Sequence, residues 1–93
     1  MRKYIFHSDA GHGWLEVPKS ELKSLGIKDK ISRYSYIDGD NAYLEEDCDA
    51  SVFIKAICEA NNMDEKMFNR YIEENIINGT SVIRQMPIYQ PNF

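Results

Sequence analysis

Basic residues are missing from the middle of this chain of 93 residues. Between Tyr34 and Ile54 there is no Lys or Arg, against six Asp/Glu. Residues 1–33 hold seven Lys/Arg and four Asp/Glu, and residues 55–93 hold four and five, so the net charge of −4 comes from one local concentration of acid. That distribution excludes the broad basic face of a general nucleic-acid-binding protein and leaves room only for a small basic patch near the N-terminus. Long apolar runs are absent too: none approaches the roughly 20 residues of a membrane span. The opening Met1-Arg-Lys-Tyr-Ile-Phe6 passes at once into polar residues, unlike a signal peptide, so a cytoplasmic location is expected.

Cysteine is scarce. Cys48 and Cys58 flank most of the helix expected in the middle of the chain, and ten helical positions separate their Cα atoms by roughly 15 Å, about twice the reach of a disulfide. Free thiols and a reducing compartment are expected, with Cys58 a small core residue. The apolar share of 43% and the charged share of 28% are those of a folded globular protein and exclude disorder. The length fits one domain.

The most informative stretch is Tyr34-Ser-Tyr-Ile-Asp-Gly-Asp-Asn-Ala-Tyr-Leu-Glu-Glu-Asp-Cys-Asp49. Asp38-Gly39 or Gly39-Asp40 supplies the positive φ of a two-residue hairpin loop, with β-rich runs on both sides. Either loop puts Tyr43 on the face of Tyr34 and Tyr36, and Ser35, Ile37, Ala42 and Leu44 on the other. Glu45, Glu46, Asp47 and Asp49 then precede the apolar helical pattern Val52, Phe53, Ala56, Ile57, Ala60. Asp49 is the expected N-cap, and acids there suit the positive end of the helix dipole.

The rest of the chain supplies further elements. Residues 3–7 and 14–17 read as short strands, and residues 19–25 as a two-turn helix between Pro18 and Gly26. Lys19 and Lys23 share a face of that helix and read as solvated. Residues 66–77 fit either a helix or a strand, but Asn78-Gly79 signals a second hairpin leading into a strand over 80–86. That favours a strand ending near Ile77. Pro87 and Pro91 confine the last segment to an edge strand or a tail. The expected fold is α+β: a single domain over 1–93, with a mostly antiparallel sheet of about five or six strands, a main helix at about 49–62 on one face and a short helix at about 19–25.

Groups capable of chemistry are few. His7, Asp9 and His12 could surround a metal, but no fourth ligand stands at a recognisable spacing. Gly11 and Gly13 precede a strand, whereas a phosphate loop opens a helix. Asp38, Asp40 and Ala42 lack the later ligands of a calcium loop. Cys48 near a helix N-terminus could be a nucleophile with His7 or His12 as base, though nothing in the sequence joins them. No cofactor is expected.

The run His7-x-Asp9-Ala-Gly-His-Gly-Trp-Leu-Glu-Val-Pro18, then Leu25-Gly-Ile-x-Asp-Lys-Ile-Ser-x-Tyr-Ser-Tyr36, then Gly39-Asp40 and Tyr43-Leu-Glu-Glu-Asp-Cys-Asp49, resembles a family of small uncharacterised proteins of tailed bacteriophages and related mobile elements. The likeness covers about half the chain closely and the C-terminal third loosely, through Gly79-x-Ser81-x-Ile83-Arg84. It implies a phage setting, hence the cytoplasm of a bacterial host, and assigns no active site.

Tyrosine offers rigid contact area with a polar end, and carboxylates beside it suit a basic partner. The expected function is therefore non-enzymatic binding of a host or phage protein through Tyr34, Tyr36, Asp38, Asp40, Tyr43, Glu45, Glu46, Asp47 and Asp49. Within the phage setting this includes inhibition of a defence nuclease complex, of restriction or CRISPR type. In a stricter version the carboxylates imitate nucleic-acid phosphates, though −4 is a small charge for that role. Direct nucleic-acid or membrane binding is not expected; a homodimer is compatible with the sequence. A plainer role for the tyrosines is a second core layer. Two rival functions are compatible with the same residues: a small metal-dependent hydrolase using His7, Asp9 and His12, and a self-associating structural phage protein.

Overall fold

The apolar alternation near the N-terminus forms two strands, β1 (Tyr4–Ser8) and β2 (Gly13–Pro18), paired antiparallel with Ile5 opposite Glu16 and His7 opposite Trp14. The structure is a computed structural model describing residues 2–93. Pro18 ends β2 and occupies the N-cap position of α1 (Lys19–Ser24), and Gly26 closes the exit at φ +71°, a conformation that suits glycine.

β3 (Tyr36–Asp38) and β4 (Asn41–Glu45) are joined by Gly39-Asp40, with Gly39 at φ +59°. This is the expected two-residue hairpin. Tyr36 pairs with Tyr43 and Ile37 with Ala42, so both expected faces are present, with Tyr36 as the cross-strand partner. α2 (Ala50–Ala60) follows, narrower than 49–62, with Ser51, Lys55 and Glu59 exposed.

The ambiguous 66–77 stretch divides. Its first part is α3 (Glu65–Phe68), capped by the Asp64 side chain accepting from Met67 N at 2.8 Å, followed by a 3-10 turn over Asn69–Tyr71. Its second part is β5 (Ile72–Ile76). The hairpin expected at Asn78-Gly79 does not form. β5 pairs parallel with β1, and residues 80–86 make no strand: Val82–Gln85 is a 3-10 turn. A tertiary contact overrides the local turn signal, because Ser81 N and the Arg84 guanidinium are drawn to Asp9 at the far end of β1. The tail runs along the edge of β3, with Ile88 bridged to Tyr36 and Ile37 N donating to Pro87 O.

The sheet thus has five strands in the order β3-β4-β2-β1-β5, three pairings antiparallel and one parallel. One face carries Tyr4, Leu15, Val17, Ala42 and Leu44 under Phe53, Ile57 and Cys58 of α2, with Phe68 alongside. This is the main core, and the rings of Tyr4, Phe53 and Phe68 pack with centroids 5.4 to 6.3 Å apart. The opposite face is covered only in part: Trp14, Tyr43 and Ile83 are buried there beneath Tyr36 and Met86. Both cysteines are free, Cys58 in the core and Cys48 exposed. No helix among the described residues is long and apolar enough to cross a membrane.

Candidate functional site

Asp9 organises the thinly covered face. Its Oδ1 accepts from Gly11 N and His12 N, turning the β1–β2 loop back on itself, and its Oδ2 accepts from Ser81 N at 2.9 Å. Arg84 then donates to both oxygens, Nε to Oδ2 at 2.7 Å and Nη2 to Oδ1 at 2.8 Å, a bidentate pair. The guanidinium, with the Ser81 amide next, holds the Asp9 carboxyl far below the usual carboxylate range. Asp9 in turn fixes Arg84 with its guanidinium 5.4 Å from the centre of the Trp14 ring.

Beside this clamp lies a pocket of about 360 Å³. β2 supplies Trp14 to it and β3 supplies Tyr36, while the segment before β3 supplies Arg33 and Tyr34. The end of β4 and the following turn contribute Glu45, Asp47 and Cys48. His12, Arg84 and Ile88 complete it. Four of the nine residues expected to bind a partner therefore converge: Tyr34, Tyr36, Glu45 and Asp47. Glu46 is exposed in the same turn, with its carboxyl on the Gly13 and Phe6 side.

The other four go elsewhere. Asp38 and Asp40 are exposed at the hairpin tip, about 14 Å from Glu45 along β4. One acidic run in sequence is thus two patches in space. Tyr43 is 8% exposed and belongs to the second core layer, and burial pushes its phenol upward. Asp49 is 2% exposed and faces inward. It occupies the N-cap position of α2 without capping it; its carboxylate accepts from Ser32 N, Ser32 Oγ and Ser35 Oγ. The turn is braced by Glu45 instead, whose Oε2 accepts from Asp47 N and Cys48 N at 2.9 Å. Tyr43 and Asp49 are therefore withdrawn from any docking surface. Glu45, though mostly buried, still lines the pocket.

Two of the three residues of the metal reading, His7 and Asp9, are committed to other partners. His7 Nε2 lies 2.7 Å from Glu16 and its Nδ1 is 3.1 Å from Asn75 Nδ2, so both ring nitrogens are occupied. Asp9 belongs to Arg84, and His12 stands on the rim of the pocket with Nδ1 4.0 Å from Glu45. No group of three or more His, Cys, Asp or Glu among the described residues is placed to hold a metal. Cys48 and His12 do share the pocket, but desolvation, then Glu45, push the thiol upward, away from the thiolate a nucleophile needs.

Sequence reasoning missed Trp14, Arg33, Arg84 and Ile88 as pocket residues. Arg84 is 75 residues from Asp9, and no local pattern announces such a pair. A wider groove of about 1050 Å³ runs along α2 and α3, but gathers none of the nine expected residues. No family model matches the sequence, and no curated protein or solved structure is similar to it.

Proposed function

We propose that this chain is a non-enzymatic binding protein that docks a basic protein partner on the pocket and the turn beside it. One observation carries the reading. Tyr34, Tyr36, Glu45 and Asp47, supplied by separate segments, meet at one opening, and Glu46 and Asp47 have no cation within 4 Å among the described residues. Tyr34, 70% exposed, adds a large amphipathic ring at the edge of this acidic turn. Carboxylates lacking counter-ions suit electrostatic complementarity with lysines and arginines of a partner, which raises association rate and specificity more than intrinsic affinity.

The engagement of His7 and Asp9 in closed internal networks supports binding over catalysis. The phage setting that the sequence resemblance implies favours, as partners in a host cytoplasm, bacterial defence nucleases, whose nucleic-acid-binding surfaces are basic. Affinity capture from bacterial lysate at low and high salt, with mass spectrometry, tests the reading. A dominant basic partner should be lost at high salt and with Glu46→Lys. Capture that persists through both changes refutes it.

A further inference from the structure

We propose that the 360 Å³ pocket is a socket for one arginine side chain of that partner, an inference that rests on the docking surface above. The volume lies at the small end of ligand pockets and is ample for one long side chain. The walls include the exposed ring of Tyr34 and the half-buried ring of Tyr36, surfaces that attract a cation, beside Trp14, whose ring already carries Arg84.

Charge points the same way. Arg84 lines the pocket but is spent on Asp9, so the pair contributes little net charge. Glu45 Oε2 is taken up by two backbone amides, while its Oε1 has only His12 within reach, at 4.0 Å. Asp47 has no ion-pair partner among the described residues. Against these two acids stands Arg33, exposed, as the remaining full cation. The pocket is short of one positive charge.

Two details favour arginine over lysine. The Arg84 guanidinium 5.4 Å from the Trp14 ring centre demonstrates that this aromatic surface accepts that planar group. A guanidinium also presents a rigid fork to carboxylates while stacking on rings, which an ammonium does not. The Trp14 indole N–H, moreover, is the one buried side-chain polar atom among the described residues without a hydrogen-bond partner.

Trp14 is the single tryptophan of the chain, so its fluorescence and its indole N–H resonance report this pocket directly. The probe is N-acetyl-arginine amide, titrated beside the lysine and glutamate analogues. The arginine compound should perturb both signals saturably, the lysine compound at least tenfold more weakly and the glutamate compound not at all. Asp47→Asn and Tyr34→Ala, both at exposed positions, should weaken arginine binding at least fivefold with unchanged thermal unfolding. A non-saturating response, an equal response to the glutamate analogue, or full arginine affinity in both variants overturns the socket. The two readings fail separately. Capture abolished by Glu46→Lys but untouched by Asp47→Asn and Tyr34→Ala discards the socket and keeps the surface. Saturable arginine binding in a protein whose capture survives Glu46→Lys keeps the socket and discards the wider surface.

Discussion

Ser35→Ala should unfold this protein more readily than any other removal of a single oxygen from its side chains. Ser35 is 0% exposed, and its hydroxyl does two jobs: it donates to Asp49 Oδ2 at 2.5 Å and accepts from Glu45 N at 3.0 Å. Asp49 is itself buried, with no cation within 4 Å among the described residues, and depends on three neutral donors, two from Ser32 and one from Ser35. Deleting the hydroxyl removes a hydrogen bond to a charged group, about 1.5–3 kcal/mol, and strands a buried amide at about 1–3 kcal/mol more. The expected loss is about 3–5 kcal/mol, a large part of the roughly 5–15 kcal/mol that holds a domain together. With a urea m-value of about 1–2 kcal/mol/M, the midpoint should drop by roughly 1.5 M or more, and Tm by about 12 °C or more. Urea titration followed by Trp14 fluorescence and by far-ultraviolet circular dichroism measures this. A midpoint shift under about 0.5 M would refute the reasoning, since it requires water to replace the hydroxyl at both partners.

Further perturbations test separate parts of the structure. An alanine Cβ at Gly13 would stand 2.5 Å from Phe6 Cζ, so Gly13→Ala should cost about 1–3 kcal/mol in chemical denaturation, with Phe6→Leu restoring part of it in the double variant. The Asp9 carboxyl is held below its unfolded value near 4, so its contribution is complete above that pH and is lost as pH falls toward the folded value. Asp9→Asn should therefore be less stable than the parent at pH 7, and the gap should narrow below about pH 4 in acid titrations. Burial, then Asp29 and Asp49, push the Tyr89 phenol up to about 12, and its hydroxyl donates to Lys28 O. That contribution is complete below the unfolded value near 10 and is lost as pH rises through 12; Tyr89→Phe should flatten the alkaline fall in Tm.

What can be read in advance follows from the range of each signal. The two-residue hairpin at Gly39, the shared face of Tyr36 and Tyr43, α1 between Pro18 and Gly26, and the body of α2 rest on contacts within a few residues and are legible in the sequence, whereas the choice of Gly39-Asp40 over Asp38-Gly39 is not. Asn78-Gly79 carries the same turn signal as Gly39, and Gly79 does adopt φ +95°, yet no hairpin forms. The difference is that Asp9, more than 70 positions away, captures Ser81 and Arg84 and draws the chain across the sheet. Residues 66–77 are ambiguous because two elements share them, α3 and β5, divided by the 3-10 turn over Asn69–Tyr71. The acidic run misleads in another way: Asp49 and Glu45 have the spacing of surface acids at a helix start, but Ser32 and Ser35 fold over the first and the turn's own amides fold around the second. Composition marks a carboxylate and cannot mark which backbone closes over it. Trp14 is legible as a strand residue, whereas its role as pocket wall depends on Arg84 arriving from the far end of the chain.

The parallel pairing of β1 with β5 gives the molecule a timetable during synthesis. From Ser8 to Ile72 is 64 positions, so at about 5–20 residues per second the ribosome needs roughly 3–13 s to deliver the strand that covers the outer edge of β1. Within that interval β2 and then β4 become available to pair, but the outer edge of β1 presents open amides and carbonyls beside Tyr4 and Phe6, a template for a second nascent chain. Slower translation through residues 9–71 lengthens the exposure. The yield of folded protein should then fall with elongation rate even where equilibrium stability is untouched.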